Sequence, residues 1–245
     1  MAKLKYYDGT GWKSLPDEID GDLTISGDLT VHGSINNKLI HYSWEEIADL
    51  ADPENFFSVG DEKTITLSTS EQIVLQIYGF NHDDLVGGGK AKITFGMKDL
   101  MNDIRKMNST DTNAGGWDAT DMRSWCNGDL YNSLPSDLKA VIKTVFKPTA
   151  NGGNQSGTEV IDSQDNVFLF SEVELFGDTI YSRAGEGSKY PIFTGNASRV
   201  KESSFWWARS PRSTHSHHFC FVYPDGSAYY SGAAYSTGVC FGFCV

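Results

Sequence analysis

Long apolar runs are absent from this chain of 245 residues, and none approaches the roughly 18 apolar residues of a membrane-crossing helix. The opening MAKLKYYDG has no apolar signal-peptide core, so the expectation is a chain made and assembled in the cytosol, with no membrane insertion. Basic clusters are also missing. Against 32 Asp and Glu there are only 20 Lys and Arg, a net charge of -12 that repels polyphosphate backbones and anionic membrane surfaces and excludes nucleic acid as an expected partner. Cysteine is scarce: Cys126, Cys220, Cys240 and Cys244 show no CxxC spacing, and three of them fall in the last 26 positions. They read as buried thiols acting as small apolar residues, ahead of a disulfide or a zinc site. With 39% hydrophobic residues and 13% aromatics, the chain can still bury a real core.

A sharper absence marks the end. Beyond Trp207 there is no Lys, Glu, Gln, Met or Trp, although these five types supply 40 of the first 207 residues. Drawn from the same pool, a run of 38 residues without them would arise on the order of once in a few thousand trials. The tail's alphabet is selected.

Three textures precede it. KYYDGTGWKSLP carries Asp8-Gly9 between aromatic and polar residues, which predicts a β-hairpin. From Gly21 to Ile35 the hexads GDLTIS and GDLTVH alternate strictly: Leu23, Ile25, Leu29, Val31 and Ile35 make one face apolar. Such a ribbon cannot cover that face alone, so copies from other chains are expected to bury it, a hairpin folded on the main domain being the plainer alternative. The main domain opens at Ser43 and Glu46, a capping box before Ile47 and Leu50. Lys63 to Phe80 reads as two strands around a polar turn. Met97, Leu100, Met101, Ile104 and Met107 fall at helical spacing, and a further helix is expected with Met122, Trp125 and Cys126 inward. Another is expected to begin with Ser136 as cap. The segment from Lys147 to Asn166 is polar and Gly-rich, predicting an exposed loop. A buried strand and a short helix (VFLFSEVELFG) and then short strands with YPDGS as a turn complete an α+β pattern.

The ordered set GGWDATDMRSWCNGDLYNSLPSDLKAVI, VFLFSEVELFG, FWWARSP, DGS and GVCFGFCV resembles a family of bacterial and phage domains with the C-type lectin fold, in the variant found in formylglycine-generating enzymes. Many members end on WWLRSP, DGS and a terminal strand containing GV; Ala208 stands here where that pattern has Leu. The resemblance spans Lys38 to Val245. The leading segment resembles the start of phage tail-fibre proteins, where a YYDG-W hairpin and GDLTVSG hexads precede a receptor-binding head, and such fibres are generally trimers. Phage members of the family include target proteins of diversity-generating retroelements, whose C-terminal region is rewritten by adenine-specific mutagenesis. Rewriting the two adenines of an Asn codon gives NNC or NNT codons, which encode fifteen residue types and never Lys, Glu, Gln, Met or Trp.

The resemblance therefore implies an α+β lectin-like head over 38–245, with a variable region at about 207–245. Before it come a hairpin attachment segment, 1–18, and a trimerising β segment, 19–37. It implies a non-catalytic phage tail receptor-binding protein, a homotrimer in the virion, whose partners are a host cell-surface receptor (protein or glycan) and, through the N-terminus, other tail proteins. The alternatives are a structural tail or adhesin component with fixed carbohydrate-binding lectin activity, and a formylglycine-generating-type enzyme. The expected contact residues are Arg212, Thr214, His215, His217, His218, Phe221, Tyr223, Ser227, Tyr229, Tyr230, Ser231, Ala233, Ala234 and Tyr235, one exposed patch of aromatic anchors and adaptable polar groups. Trp206, Arg209, Pro211, Gly226, Gly238 and Phe243 are expected beneath it, with Phe219 and Phe241 in the core.

No cofactor and no metal is expected. His215, His217 and His218 lack a carboxylate or cysteine to complete a metal set. Calcium-dependent lectins usually carry Glu-Pro-Asn or Gln-Pro-Asp, whereas YPDG reads as a turn. The enzyme resemblance would need a copper-binding cysteine pair, for which Cys240 and Cys244 are the candidates.

Overall fold

The computed structural model describes residues 5–7, 10, 12–14, 39–154 and 158–245. The chain divides into two units, Met1–Asn36 and Asn37–Val245. In the first, β1 (Lys5–Tyr7) and β2 (Trp12–Ser14) pair antiparallel with Tyr7 opposite Trp12. The hexad segment expected to trimerise, Gly21 to Ile35, lies outside the described residues, as does the Asp8-Gly9 pair.

The second unit begins with local signals that hold. Ser43 caps α1 (Trp44–Asp49): its hydroxyl accepts from the Glu46 amide at 3.2 Å, and its own amide donates to the Glu46 carboxylate. Trp44 is thereby turned inward, edge-on to Phe95 at 5.3 Å. Next, β3 (Glu62–Thr66) and β4 (Gln72–Phe80) form the expected hairpin, followed by β5 (Ile93–Met97) and the short β6 (Arg105–Lys106).

The expected helix through Met97 and Met107 does not form. Residues 98–104 are irregular because distant groups take up their backbone hydrogen bonds: Lys201 Nζ donates to the Met97 and Lys98 carbonyls, the Met101 amide to Val239 O, and the Asn102 amide to Glu71. Met97, Leu100, Met101 and Met107 are nonetheless buried, while Ile104 is exposed. Helix α2 (Asp121–Trp125) runs through a π-helical turn, Cys126–Leu130, into α3 (Tyr131–Ser133). Met122 and Cys126 face the core as expected, but Trp125 is only half-buried: it lines a surface groove, where the Arg105 guanidinium covers its ring at 3.9 Å. In α4 (Ser136–Val141) the cap position belongs to Pro135, not Ser136.

The expected exposed loop after Val145 is instead a hairpin of β7 (Val145–Ala150) and β8 (Val160–Asp165), with Lys147, Thr149, Ser163 and Asp165 buried. Ion pairing explains why so polar a segment goes inside. Lys147 Nζ lies 2.6 Å from both Asp83 and Glu174, and Arg209 Nη2 donates to Glu174 at 3.0 Å. Burial alone would raise both carboxyls, yet the cations beside them hold Asp83 well below its usual range and Glu174 below its own.

After β9 (Val167–Leu169), a second capping box, Ser171 with Glu174, starts α5 (Glu172–Phe176). The chain then supplies β10 (Trp206–Pro211), β11 (His218–Val222), β12 (Ala228–Gly232), β13 (Ser236–Thr237) and β14 (Phe241–Cys244). Strand β14 enters the five-stranded sheet β3-β4-β5-β14-β9 between β5 and β9, and β10-β11-β12 form a separate antiparallel sheet with β12 at its edge. The architecture is α+β. All four cysteines are free and buried, and Phe219, Phe241 and Phe243 lie in the core.

Candidate functional site

Strands β11 and β12, with the loop before them, carry most of the residues expected to make contacts. The framework beneath is buried: Trp206, Arg209, Pro211, Gly226, Gly238 and Phe243 are all inside. At the YPDG turn Gly226 has φ 80°, and a Cβ there would stand 2.0 Å from the Asn196 carbonyl oxygen. The loop before β11 is pinned by Asn113, fully buried, whose Nδ2 donates to the carbonyls of His215 at 2.7 Å and His218 at 2.8 Å. Gly153 packs against the same loop so closely that a Cβ would meet Arg212 O at 1.9 Å.

On this base Tyr223, Tyr229 and Tyr235 are exposed (41%, 45% and 61%), as is Thr214. Arg212, His215, His217, His218, Ser227, Tyr230, Ser231 and Ala234 are half-buried. Two expected members are not on the surface. Phe221 is buried because it pairs across the strands with Tyr229 and is boxed by Phe205 and Trp207, 5.4 and 6.0 Å away. Ala233 is fully buried, its amide donating to His217 O and its carbonyl accepting from Asn108.

The remainder forms two joined halves. One is a cleft of about 200 Å³ between Phe205, Phe221, Tyr223, Tyr229, Tyr230, Ser231, Tyr235 and Thr237. The other gathers Arg212, the three histidines, Tyr181 and Tyr230. Register puts Tyr229 opposite Phe221 and Tyr230 opposite Cys220, so their side chains leave opposite sides of the ribbon. Because β12 is an edge strand, the two rings can fold over it, and they stack 4.8 Å apart at 7°. This stack joins the halves. Phe205 and Tyr181 were not among the expected residues: Phe205 precedes the compositional break, and Tyr181 sits in a remote loop that reaches Tyr230 only in three dimensions, at 5.0 Å.

Burial and then the neighbouring His217, His215 and Arg212 push the His218 imidazole down to about 4, and His215 is lowered for like reasons. A larger groove, about 530 Å³, lies elsewhere, lined by Glu71, Asp103, Arg105, Trp125 and Asp129, and contains none of the expected contact residues.

A copper-binding pair does not fit Cys240 and Cys244. Four positions along extended chain span about 13 Å, and each thiol has its own neighbours: Cys240 Sγ is 3.6 Å from the Tyr78 hydroxyl, and Cys244 Sγ is 3.4 Å from Thr94 Oγ1. Burial also holds the Cys244 thiol well above its usual range, against thiolate ligation. Among the described residues no group of three or more His, Cys, Asp or Glu is arranged to hold a metal ion, and no helix is long and apolar enough to cross a membrane.

Fold and surface together define an α+β domain with an aromatic and histidine-rich face on an edge sheet. The chain belongs to the family described as a domain of unknown function, DUF6273, whose family model matches residues 92–245, more than half of its length. No curated protein matches it, and no solved structure does.

Proposed function

We propose that this chain is a non-catalytic phage tail receptor-binding protein, carried in the virion as a homotrimer, whose C-terminal face adheres to the host surface. The observation that carries this reading is a division of labour within the tail. The glycines, tryptophans and Arg209 that fix the backbone are buried, while the tyrosines and most of the polar positions reach solvent on one face. A surface so divided can change its side chains without unfolding the domain. The five missing residue types are those that adenine-directed rewriting of Asn codons cannot produce, which supports diversification by a retroelement.

The ordered motifs support a C-type lectin-like head of the formylglycine-generating-enzyme type, with terminal strand β14 inside the main sheet and the WWARSP strand buried. Three heads on one fibre raise avidity without new contacts, so each face can bind modestly. The purified full chain should bind host cells saturably and compete with phage adsorption; a chain that does neither contradicts the reading. A near-identical, adenine-rich template repeat beside a reverse transcriptase gene is the expected source of variation, and its absence would remove that part.

A further inference from the structure

One half of the contact face is aromatic; the other holds a cation with little to neutralise it. The Arg212 guanidinium lies 3.5 Å from the centroid of the Tyr230 ring and 5.9 Å from that of Tyr181. Its Nη1 is the donor in two long contacts, 3.5 Å to His215 Nε2 and 3.4 Å to His218 Nδ1. A guanidinium has no lone pair to offer, so both imidazole nitrogens act as acceptors and both rings are neutral. His215 is held in that tautomer by Thr214, whose hydroxyl is 2.9 Å from Nδ1. The His217 ring, 4.1 Å from that of His218, makes no hydrogen bond among the described residues.

The carboxylate that acts on the His218 imidazole is Asp111, which accepts from the Ala234 amide. None among the described residues lies within ion-pair distance of Arg212, whose Nε is buried without a partner and whose Nη2 makes no bond among them. In a chain with 32 acidic and 20 basic residues, this guanidinium keeps most of its charge-assisted bonding capacity open. The crowding that lowers His215 and His218 is relieved by a negative charge placed among them. Beside the cation, Tyr229 stacks on Tyr230 and is itself exposed, so its outer ring face is of the kind that pairs with the apolar face of a sugar ring.

Resting on the reading of this face as the contact surface, we propose that Arg212, His215, His217 and His218 form an oxyanion subsite and that the ligand is an acidic cell-surface polysaccharide, its carboxylate or phosphodiester against Arg212 and its sugar rings over Tyr229. An anion seated there favours the imidazolium forms, so binding takes up protons and strengthens as pH falls, by about tenfold per pH unit for each proton taken up.

The full chain titrated at fixed ionic strength, at pH 7.5 and 5.5, tests this. The probes are tetragalacturonate, a phosphodiester-linked glycerol oligomer, neutral galactotetraose and hexaglutamate. At least one of the two acidic polymers should bind tenfold or more tighter than galactotetraose and hexaglutamate, and tenfold or more tighter at pH 5.5 than at 7.5; whichever acid binds tighter identifies the source of the oxyanion. Arg212→Gln should lose this affinity tenfold or more. His218→Gln should flatten the pH dependence even where the Arg212 variant folds poorly. Equal binding of the neutral oligomer, hexaglutamate binding as well as the acidic polymers, or pH-independent affinity overturns the proposal. If no probe binds while the chain still adsorbs to host cells, the subsite is wrong and the contact face stands; if the chain also fails to adsorb, the face itself is misread.

Discussion

Replacing Glu186 by Gln should make the protein more stable at pH 8 and change it little at pH 4.5. The side chain is fully buried: one carboxylate oxygen accepts from the Ala150 amide at 2.9 Å and from the Thr149 hydroxyl. Burial raises this carboxyl from 4.5 to about 7, against the opposing pull of Ser210, Arg209 and the Ala150 amide. Between those two values the folded chain binds the proton more tightly than the unfolded one, so stability falls as pH rises from 4.5 through 7 and levels off above it. At 1.36 kcal/mol per unit, the full shift costs about 3 kcal/mol at pH 8. Gln keeps the shape and the acceptor and removes the ionisation, so the variant should recover about 2–3 kcal/mol there. Chemical denaturation of both proteins from pH 4.5 to 8 gives the difference directly, other groups cancelling in the comparison. A difference that stays flat with pH, or a variant less stable at pH 8, would refute the reasoning and mean that Arg209 and the hydrogen bonds hold Glu186 ionised.

Other outcomes follow from the same geometry. His218 has a depressed imidazole, so its contribution to stability is lost as pH falls from the ordinary histidine value near 6.5 towards about 4; His218→Gln should flatten that part of the melting-temperature profile. Asn113→Ala removes the bonds to the His215 and His218 carbonyls and the one from the buried Gly153 amide, leaving that amide without this partner while His218 O keeps the Arg212 amide. It should cost about 2–4 kcal/mol by denaturant titration and weaken cell adsorption further than stability alone explains. Light scattering should give about three times the 27.0 kDa chain mass, falling when residues 1–37 are deleted; a clean monomer of the full chain at micromolar concentration contradicts the trimer.

What the sequence made legible was local. Ser43 with Glu46 and Ser171 with Glu174 are complete signals within four residues, and both helices begin there. The YPDGS turn is equally local: Asp225 accepts from the Ser227 amide and hydroxyl, and Gly226 takes the positive φ of 80°. Most misreadings arose where a partner outside the local stretch of sequence decided the outcome. The methionine spacing over 97–107 has a helical period, yet Lys201 and Val239 claim its backbone. The polar segment after Val145 looks exposed until Asp83, Glu174 and Glu186 supply countercharges and acceptors. Phe221 resembles its exposed neighbours in composition, and only packing against Phe205 and Trp207 buries it.

The central claim is that adhesion resides in the exposed aromatic face, and the most direct measurement is host-cell adsorption by the full chain carrying Tyr223→Ser, Tyr229→Ser and Tyr230→Ser together. Two of these rings are more than two-fifths exposed, so the account predicts a melting temperature lowered by only a few degrees and adsorption abolished or redirected to other hosts. A variant that folds and adsorbs as the parent does would contradict it.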